Sequence, residues 1–502
     1  MLARPRFWLY RNVIALFTWL GFRSQKVLPL EAPVDGPVRF RPFADVFPDF
    51  PVRGLYAAET FPPGDHAESR LGRIAKTTRL LALVAKIAPR HTPPVPADED
   101  AFLAVVYPKR FRRAWPNAPH LPAALAEEGS DVIAELAVGG AFASYLRRAD
   151  DDGMYQLDLS WIAGFDPVAS LARPGGKAVL AVEDGRLRTV EVQNEETSPT
   201  QAERAFLAGL NEHLTTFRHN LSVHLAIVTS FALASTNELE GRHPVRRLLH
   251  HCFNTVLIGN RELAQAQLSG PTGFAATIFS HDADHLVRMA EAHLGTFDFW
   301  DFEPDEQFRN RGTTETPFAY PYRDNVLQLW AATRDYVESY LELYYDGDEA
   351  VRKDAQLSSW VTELDRLVPN GVAVPIGGIT FEWLARACAT VIHVSTVEHD
   401  IVNNVIWNFS MNGWVIPTVA PRSGERMDQR RAFDLIATTI PTWKPYNMLL
   451  TADVPSLALD ERGAAVMKEW IARLDRIQDE MSRQPHDPSL CYPANLNVSI
   501  SN

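Results

Sequence analysis

After residue 200 the chain is dominated by segments in which apolar residues recur every three to four positions. This spacing places the apolar side chains on one side of an α-helix. The segments that predict helices are 201–240, 242–268, 281–294, 324–345, 348–367 and 380–408. No repeat of fixed period is visible, which argues against an array of repeated modules. The pattern therefore predicts a mainly α fold around a long central helix.

A different periodicity precedes these helices. Residues 176–193 read GKAVLAVEDGRLRTVEVQ, in which two runs of alternating apolar and polar residues flank Asp184 and Gly185. Asp-Gly between two alternating runs is a strong signal for a β-hairpin with a tight turn. We therefore predict a small β element immediately before the central helix.

The first part of the chain lacks long periodic segments. Residues 30–68 are rich in Pro, Gly and Asp and predict an extended loop. Residues 70–90 predict a helix that ends before Pro89, and the Pro-rich residues 91–98 predict a connector. This part is expected to pack on the body of the protein.

The most apolar stretch lies at residues 7–22, FWLYRNVIALFTWLGF. Its apolar run after Arg11 is shorter than the roughly 20 residues of a spanning helix. No small-x-small cleavage site follows, which argues against a secretory signal. The simpler interpretation is a helix packed on the protein. The alternative is an interfacial helix that docks on lipid through Trp8, Phe17 and Trp19.

Composition and charge narrow the classes of function. The chain has 502 residues, of which 22% are charged and 46% hydrophobic, as in ordinary globular proteins. A net charge of −13 argues against a nucleic-acid binder that relies on bulk positive charge. Three scattered cysteines are too few for a disulfide framework or a Cys-rich zinc site.

Three histidines fall on the predicted central helix, at His213, His219 and His224. The surrounding residues are strongly apolar, which predicts a buried helix. On an α-helix, positions five residues apart are about 140° out of register, so His219 and His224 would not face one metal. A π-bulge, common at functional sites, would align them. The alternative is a set of core histidines bonded to carbonyl groups, although three on one buried helix weaken it.

The last predicted helix carries a second polar pair in an apolar background. His399 and Asn403 are four residues apart and share one face of a helix. A buried His and Asn at this spacing favour a metal site. The alternative is a polar network inside a large core, which must be hydrogen-bonded but need not bind a metal.

Other histidines carry weaker signals. His281 and His285 have HxxxH spacing but lack the glutamate of HExxH, and are expected on a solvated face. His243 and the pair His250 and His251 are interpreted as single features without partners. The sequence has no P-loop, no GxSxG elbow and no GxGxxG after a strand.

At this point an ordered set of segments resembles the lipoxygenase family. The segments are GFDPVASL (164–171), EDGRLRTVEV (183–192), HPVRRLLHHCFNT (243–255), YPYRDNVLQLW (320–330), YLELYYDGDEAVRKDAQLSSW (340–360), VSTVEHDIVNN (394–404) and the tail YPANLNVSISN. Their shared order makes the resemblance specific. It covers residues 150–502 strongly and 1–110 hardly at all. It implies a lipoxygenase-like catalytic domain over 111–502 that lacks the family's N-terminal lipid-binding β-barrel, preceded by the segments of 1–110.

The resemblance also implies a metal site. The family binds one non-haem iron, sometimes manganese, through two His of the central helix, a third His, an Asn four residues later and the C-terminal main-chain carboxylate. His399 and Asn403 match the third and fourth ligands. The tail matches without a gap to Asn502, which would supply the carboxylate. In the alternative, Ile500 marks the family's end and two residues have been added.

Two alignments of the central helix remain open. By spacing, His219 and His224 are the ligand pair. By the residues that follow, His219 is the second family His, and the first ligand falls near Leu214, with His213 one residue out of step. His219 is a ligand in both alignments, with either His224 or His213 as its partner.

The implied chemistry is that of an oxidoreductase of lipid metabolism. A hydrogen atom leaves a bis-allylic CH₂ of a polyunsaturated fatty acid or lipid, and O₂ adds to give a hydroperoxide. His219, His399 and Asn403 would carry this reaction. The alternative is a lipoxygenase fold redirected to lipid binding or hydroperoxide processing. We expect a cytoplasmic protein, with peripheral membrane contact through residues 7–22 as the further alternative.

One segment departs from the family pattern. After Ile258, Gly259 and Asn260, the family has a small residue near the substrate channel, whereas this chain has Arg261 and Glu262. Either the substrate is unusual or these two side chains point away from the channel.

Overall fold

The computed structural model of the chain describes residues 30–62, 125, 129–149, 153–196, 198–271, 273–405, 415–422 and 448–500. The segments expected at 7–22, 70–90 and 91–98 lie outside the described residues, as does the boundary near residue 110. The division into 1–110 and 111–502 therefore stays a prediction.

A central helix spans residues 199–238 and confirms the helix predicted at 201–240. It consists of an α-helix, Pro199–Glu212, a π-helix, His213–Thr229, and a second α-helix, Ser230–Glu238. Pro199 occupies the first turn, where its missing N–H costs no hydrogen bond. Every residue from 205 to 235 is buried. A helix that is buried on all sides forms the middle of the core rather than its surface.

A second helix, here called the facing helix, covers residues 381–405. It begins as an α-helix, Phe381–His393, whose N-cap Thr380 accepts a hydrogen bond from the backbone N–H of Trp383. It continues through two π-helical segments, Val394–Glu398 and Ile401–Val405, that contact the π-helix of the central helix.

One further long helix supports the facing helix and packs in turn against another long helix. Pro321–Leu341 packs against both Phe381–His393 and Glu461–Met481. The remaining helical segments are Phe43–Val46, Val132–Val138, Ala143–Tyr145, Ser160–Ala163, Pro244–Leu249, His250–Phe253, Val256–Leu263, Ala264–Leu268, Phe274–Ile278, Ala283–Gly295, Phe299–Phe302, Pro304–Asn310, Asp348–Lys353, Ala355–Leu367, Val454–Leu457 and Pro493–Asn495. The mainly α prediction is confirmed.

Two predicted helices are interrupted. The segment 348–367 divides at Asp354, whose carboxylate caps a new helix by accepting from the backbone N–H groups of Gln356 and Leu357. The segment 242–268 divides into four short helical pieces, with Thr255 in the left-handed region at φ 56°. Hydrophobic periodicity continues across both breaks, which explains why the sequence predicts single helices.

The predicted hairpin is confirmed within a four-stranded antiparallel sheet. The chain first forms a two-stranded ladder, β1 (Phe40–Pro42) and β2 (Tyr56–Ala58). The sheet then contains β3 (Arg147–Arg148), β4 (Tyr155–Leu159), β5 (Gly176–Glu183) and β6 (Arg186–Gln193), in that spatial order.

Backbone geometry explains why β5 and β6 join where they do. Asp184 and Gly185 both have positive φ, 50° and 73°, as a two-residue hairpin turn requires. Strands β4, β5 and β6 contact Pro199–Glu212 and brace the N-terminal part of the central helix. At this contact Gly209 lies so close to the backbone of Gly175 that an added Cβ would lie 2.2 Å from the Gly175 nitrogen.

The ladder of β1 and β2 corrects the expectation that residues 30–68 form only extended loop. Phe43 and Phe50 are buried beside the ladder, and β2 contacts Val256–Leu263. These buried aromatic residues anchor the segment to the main core, whereas its Pro, Gly and Asp residues predict loop. Among the described helices, none is both long enough and apolar enough to cross a membrane.

Candidate metal centre

Three buried histidines meet between the central helix and the facing helix. His219 and His224 come from the π-helix His213–Thr229, and His399 lies between the two π-helical segments of the facing helix. One ring nitrogen from each lies within 4.8 Å of those of the other two. The three residues are 8%, 3% and 1% exposed. In the described part of the chain, no other group of three or more His, Cys, Asp or Glu converges in this way.

The π-helix explains how His219 and His224 converge. In this geometry the hydrogen bonds join residues five apart, so positions i and i+5 lie above one another. The π-helical segment covers 17 residues rather than a single bulge. The Nε2 atoms of His219 and His224 are 3.0 Å apart.

Asn260 fixes the orientation of the His224 ring. Its Oδ1 lies 2.8 Å from His224 Nδ1, and its Nδ2 donates to the His224 carbonyl and to Thr229 Oγ1. Because Asn260 Oδ1 accepts the proton on Nδ1, Nε2 of a neutral His224 is left with its lone pair toward the other two rings. Sequence reasoning noted Asn260 only as part of a family segment and assigned it no role.

Burial keeps the three rings neutral. Burial lowers the pKa of His224 to about 4, and the hydrogen bond that the ring donates to Asn260 opposes this only in part. Burial and the neighbouring imidazoles hold the pKa values of His219 and His399 well below their usual range. Neutral imidazole is the form that donates a lone pair to a metal.

The two ring nitrogens of His399 indicate whether these residues fit a metal. Neither of its ring nitrogens has a hydrogen-bond partner among the described residues, although both are buried. A buried polar atom without a partner costs free energy, and such groups in native proteins call for an ion or water. Three neutral imidazoles suit a first-row transition metal, so the residues present fit one.

Of the two remaining expected ligands, the structure describes Asn403 but not Asn502. Asn403 is 5% exposed and follows His399 by four residues on the facing helix. Asn502 lies outside the described residues. The preceding tail is buried, with Val498 and Ile500 at most 1% exposed, and Ser499 Oγ donates to the Asn254 carbonyl at 3.1 Å.

The structure places His213 in a different cluster. Its ring centroid lies 4.8 Å from that of Tyr145, 5.6 Å from Trp161 and 5.7 Å from His293. Of the two open alignments, the geometry therefore brings together His219 and His224, with His399, and leaves His213 in an aromatic environment.

Two expectations about other histidines were wrong. His281 is fully buried rather than solvated, and its Nδ1 lies 2.9 Å from Glu212 Oε1. Burial alone would lower its pKa, but the Glu212 carboxylate outweighs this and raises it. His243, interpreted as lacking a partner, has Nε2 3.0 Å from Asp354 Oδ2. Both carboxylates are distant in sequence from their histidines, so spacing gave no signal.

The side chain of Arg261 contacts the N-terminal segment. Its Nη1 donates to the Ala58 carbonyl at 3.2 Å, and its guanidinium lies 5.9 Å from the Phe61 ring centroid. The N-terminal segment therefore accommodates the charge of Arg261.

Comparisons with known proteins find similarity to one family. Residues 208–430 match the family model described as Lipoxygenase. The Hydroperoxide isomerase ALOXE3 of Mus musculus is 32% identical over 147 residues, 29% of this chain and 20% of that protein. Polyunsaturated fatty acid lipoxygenase ALOX12 of Mus musculus is 25% identical over 312 residues, 56% of this chain and 46% of that protein. The chain thus spans less than half the length of either relative.

A solved structure shares the fold over most of the chain. It is described as an anaerobic crystal structure of delta413-417:GS LOX in complex with arachidonate. The TM-score is 0.73 with 16% identity, over 93% of this chain and 79% of that one. At this identity the likeness shows a shared fold.

Proposed function

Because the chain belongs to the lipoxygenase family, we propose that it is a non-haem metal dioxygenase that inserts O₂ into a polyunsaturated fatty acid or lipid. The product is a hydroperoxide. The observation that carries the proposal is the convergence of His219, His224 and His399, with both ring nitrogens of His399 buried and unpartnered among the described residues. Such a donor set has no evident structural use without an ion.

The proposed metal is one iron, with manganese as the alternative. His219, His224 and His399 would hold it, with Asn403 as a fourth ligand. The carboxylate of Asn502 as a fifth ligand stays a prediction, because it lies outside the described residues. The bound metal would supply one-electron chemistry for hydrogen-atom removal from the bis-allylic carbon.

The chain's own residues have three tasks in this reaction. The neutral imidazoles of His219, His224 and His399 present lone pairs without needing to lose a proton at neutral pH. Asn260 holds the His224 ring so that Nε2 faces the centre. The buried helices on both sides exclude water, which protects a radical intermediate of the lipid from side reactions.

The test is oxygen uptake by metal-loaded protein with a panel of polyunsaturated fatty acids. We expect O₂ consumption together with the ultraviolet absorbance of a conjugated diene. His399→Ala should lose metal and abolish both signals, whereas His285→Ala, a half-buried histidine outside the cluster, should retain them. Metal-loaded wild-type protein that consumes no O₂ with any acid in the panel would overturn the dioxygenase assignment.

A second candidate function is processing of a lipid hydroperoxide on the same centre. It is favoured by the similarity to a relative named Hydroperoxide isomerase. In this case the metal-loaded protein should consume an added fatty-acid hydroperoxide without O₂ uptake, and His399→Ala should still abolish turnover. An apo protein that binds fatty acid and no redox metal would instead support a lipid-binding role.

We also propose that residues 7–22 bring the protein to lipid surfaces. Their apolar side with Trp8, Phe17 and Trp19 is typical of an interfacial helix. Deleting residues 1–25 should leave turnover of free fatty acid unchanged and weaken turnover of the same acyl chain in phospholipid vesicles. Equal activity of both forms on vesicles would contradict this role.

A further inference from the structure

A buried ion pair joins the two helices that carry the histidine cluster. Arg218 Nε donates to Glu398 Oε1 at 2.6 Å, and the two side chains are only 7% and 5% exposed. Arg218 immediately precedes His219 on the central helix, and Glu398 immediately precedes His399 on the facing helix. The pair thus joins the two helices one residue before a candidate ligand on each.

General stability is a weak reason for this pair to exist. Removing two charges from water costs several kcal/mol per ion, and replacing a buried ion pair by apolar side chains of similar size is often neutral or stabilising. The Arg218 guanidinium is also stacked on Phe302, 3.6 Å from the ring centroid. A well-packed apolar pair would serve this core at least as well. The best-attested use of buried ionic groups is to fix register between elements.

Register between these two helices decides whether the cluster can hold a metal. Helical residues advance about 1.5 Å each along the axis. Metal–nitrogen distances must stay within about 0.2 Å of their preferred values. A slip by a fraction of one residue would therefore separate His399 from His219 and His224. An ion pair with one short, directional hydrogen bond prevents such a slip where apolar contacts would allow it.

We propose that Arg218 and Glu398 are positioning residues of the metal centre, which lock the central and facing helices in the register that brings His399 to His219 and His224. The inference rests on the proposed metal-dependent function. It assigns the pair to the geometry of the site rather than to the stability of the fold.

The facing helix offers a matched control. Arg386 and Glu303 form another ion pair between this helix and a neighbouring segment, with Arg386 Nε 3.0 Å from Glu303 Oε1. Glu303 is 3% exposed in its side chain and Arg386 is 27% exposed. Arg386 is thirteen residues from His399, about 20 Å along a helix. The same residue types thus tie down the same helix far from the cluster.

The experiment compares three proteins: the wild type, the double variant R218M/E398M and the control R386M/E303M. Each double variant removes both charges, so that no unpaired charge stays buried. Anaerobic Co²⁺ titration, followed by d–d absorption, gives the affinity and geometry of the site. Urea unfolding of the metal-free proteins gives their stability.

We expect R218M/E398M to bind Co²⁺ at least tenfold more weakly than wild type, with an altered d–d spectrum, while its unfolding midpoint stays close to wild type. R386M/E303M should keep the Co²⁺ affinity and spectrum within twofold, whatever its midpoint. The charge-swapped variant R218E/E398R should recover part of the affinity, because it restores the link between the helices.

Wild-type affinity and spectrum in R218M/E398M would overturn the inference while leaving the proposed function standing. Equal losses in both double variants would also overturn it, because the effect would then follow general loosening of the facing helix. If R218M/E398M fails to fold, E398Q replaces it, with the same expected loss of affinity. A wild-type protein that binds neither Co²⁺ nor Fe²⁺ would overturn the proposed function and this inference with it.

Discussion

Substitution of Asn260 tests how the orientation of the His224 ring affects metal binding while the ring itself stays present. It contacts Nδ1 of His224 and the carbonyl of the same residue, so its loss leaves the imidazole in place but free to turn. Partners of this kind typically contribute 10- to 100-fold in metal affinity. We expect Asn260→Ala to weaken Fe²⁺ or Co²⁺ binding by about that factor, measured by titration.

Asn237→Ala is the matched control for this variant. Asn237 also lies on the central helix, where its side chain bonds both backbone groups of Val38, remote from the cluster. The Asn237→Ala protein should have a lower unfolding free energy than wild type and the same metal affinity. Unchanged affinity in Asn260→Ala would show that the His224 ring is held by packing alone.

Two buried histidines should give opposite pH dependence of stability. The Glu212 carboxylate raises the pKa of His281 against the effect of burial, so its contribution is complete below about 6.5 and is lost as pH rises through the raised pKa. Burial lowers the pKa of His393 to about 4. The folded protein is therefore destabilised as pH falls from 6.5 toward 4, because only the unfolded ring takes up a proton.

Urea unfolding at several pH values checks both signs. The unfolding free energy of His281→Gln should be about 3 kcal/mol below that of wild type, as for a broken buried pair. This difference should become smaller as pH rises. As pH falls below 6.5, the unfolding free energy of wild type should decrease relative to that of His393→Leu. Gaps that do not change with pH would contradict these assignments.

At this scale the sequence predicted His219, His399 and Asn403 as candidate ligands, because polar residues at helical spacing stand out in apolar segments. It left His213 and His224 as alternatives, because the choice depends on whether the local backbone is α or π. It also missed Glu212 as the partner of His281, 69 residues away, since such pairs are formed only by tertiary packing.

At the scale of elements, the central helix depends on close contact with the sheet. The Gly175 N–H donates to the Ala205 carbonyl at 3.2 Å, and Gly209 leaves room for that approach. Gly209→Ala would put a methyl group into the Gly175 backbone, so we expect a loss of about 1–3 kcal/mol or more in unfolding free energy. Gly295→Ala is the control, because nothing lies within 4 Å of an added Cβ there.

Chemical denaturation of both glycine variants measures the difference. A Gly209→Ala variant as stable as Gly295→Ala would show that the sheet can move away from the helix without cost. The close contact between Gly209 and Gly175 would then contribute nothing to the position of the π-helix that follows.

Elements with a strong local signal were predicted well. The hairpin follows from Asp184 and Gly185, and the long helices follow from their apolar periodicity. The interruption at Asp354 was not predicted, because a single capping carboxylate gives little signal against a continuing apolar pattern. The length of the π-helix was not predicted, because a helix that is buried on all sides gives no periodic signal in the sequence.

At the scale of the whole molecule, the main hydrophobic core of the described residues extends from Val38 to Ile500. The C-terminal tail is fixed to this core by Asn325, whose side chain accepts from the Cys491 N–H at 2.9 Å and donates to the Cys491 carbonyl at 3.1 Å. Cys491 Sγ also lies 3.3 Å from Asp400 Oδ2, next to His399. The tail is thereby held against the same helix that carries a candidate ligand.

Releasing the tail should affect both stability and the metal site. Asn325→Ala removes two hydrogen bonds to buried backbone groups, at about 1–3 kcal/mol for groups left unpaired. We expect that loss in unfolding free energy, together with faster proteolysis of the tail and a lower metal content after purification. A stable variant with an intact tail and full metal content would show that apolar packing alone secures this segment.

The central claim is that His219, His224 and His399 hold one redox-active metal. Anomalous diffraction from crystals of the iron-loaded protein, recorded on both sides of the iron absorption edge, tests it most directly. We predict one iron peak per chain, at about 2.0–2.2 Å from one ring nitrogen of each histidine, by analogy with metal–imidazole bonds. A peak elsewhere, or no peak at this cluster in fully loaded protein, would contradict the account.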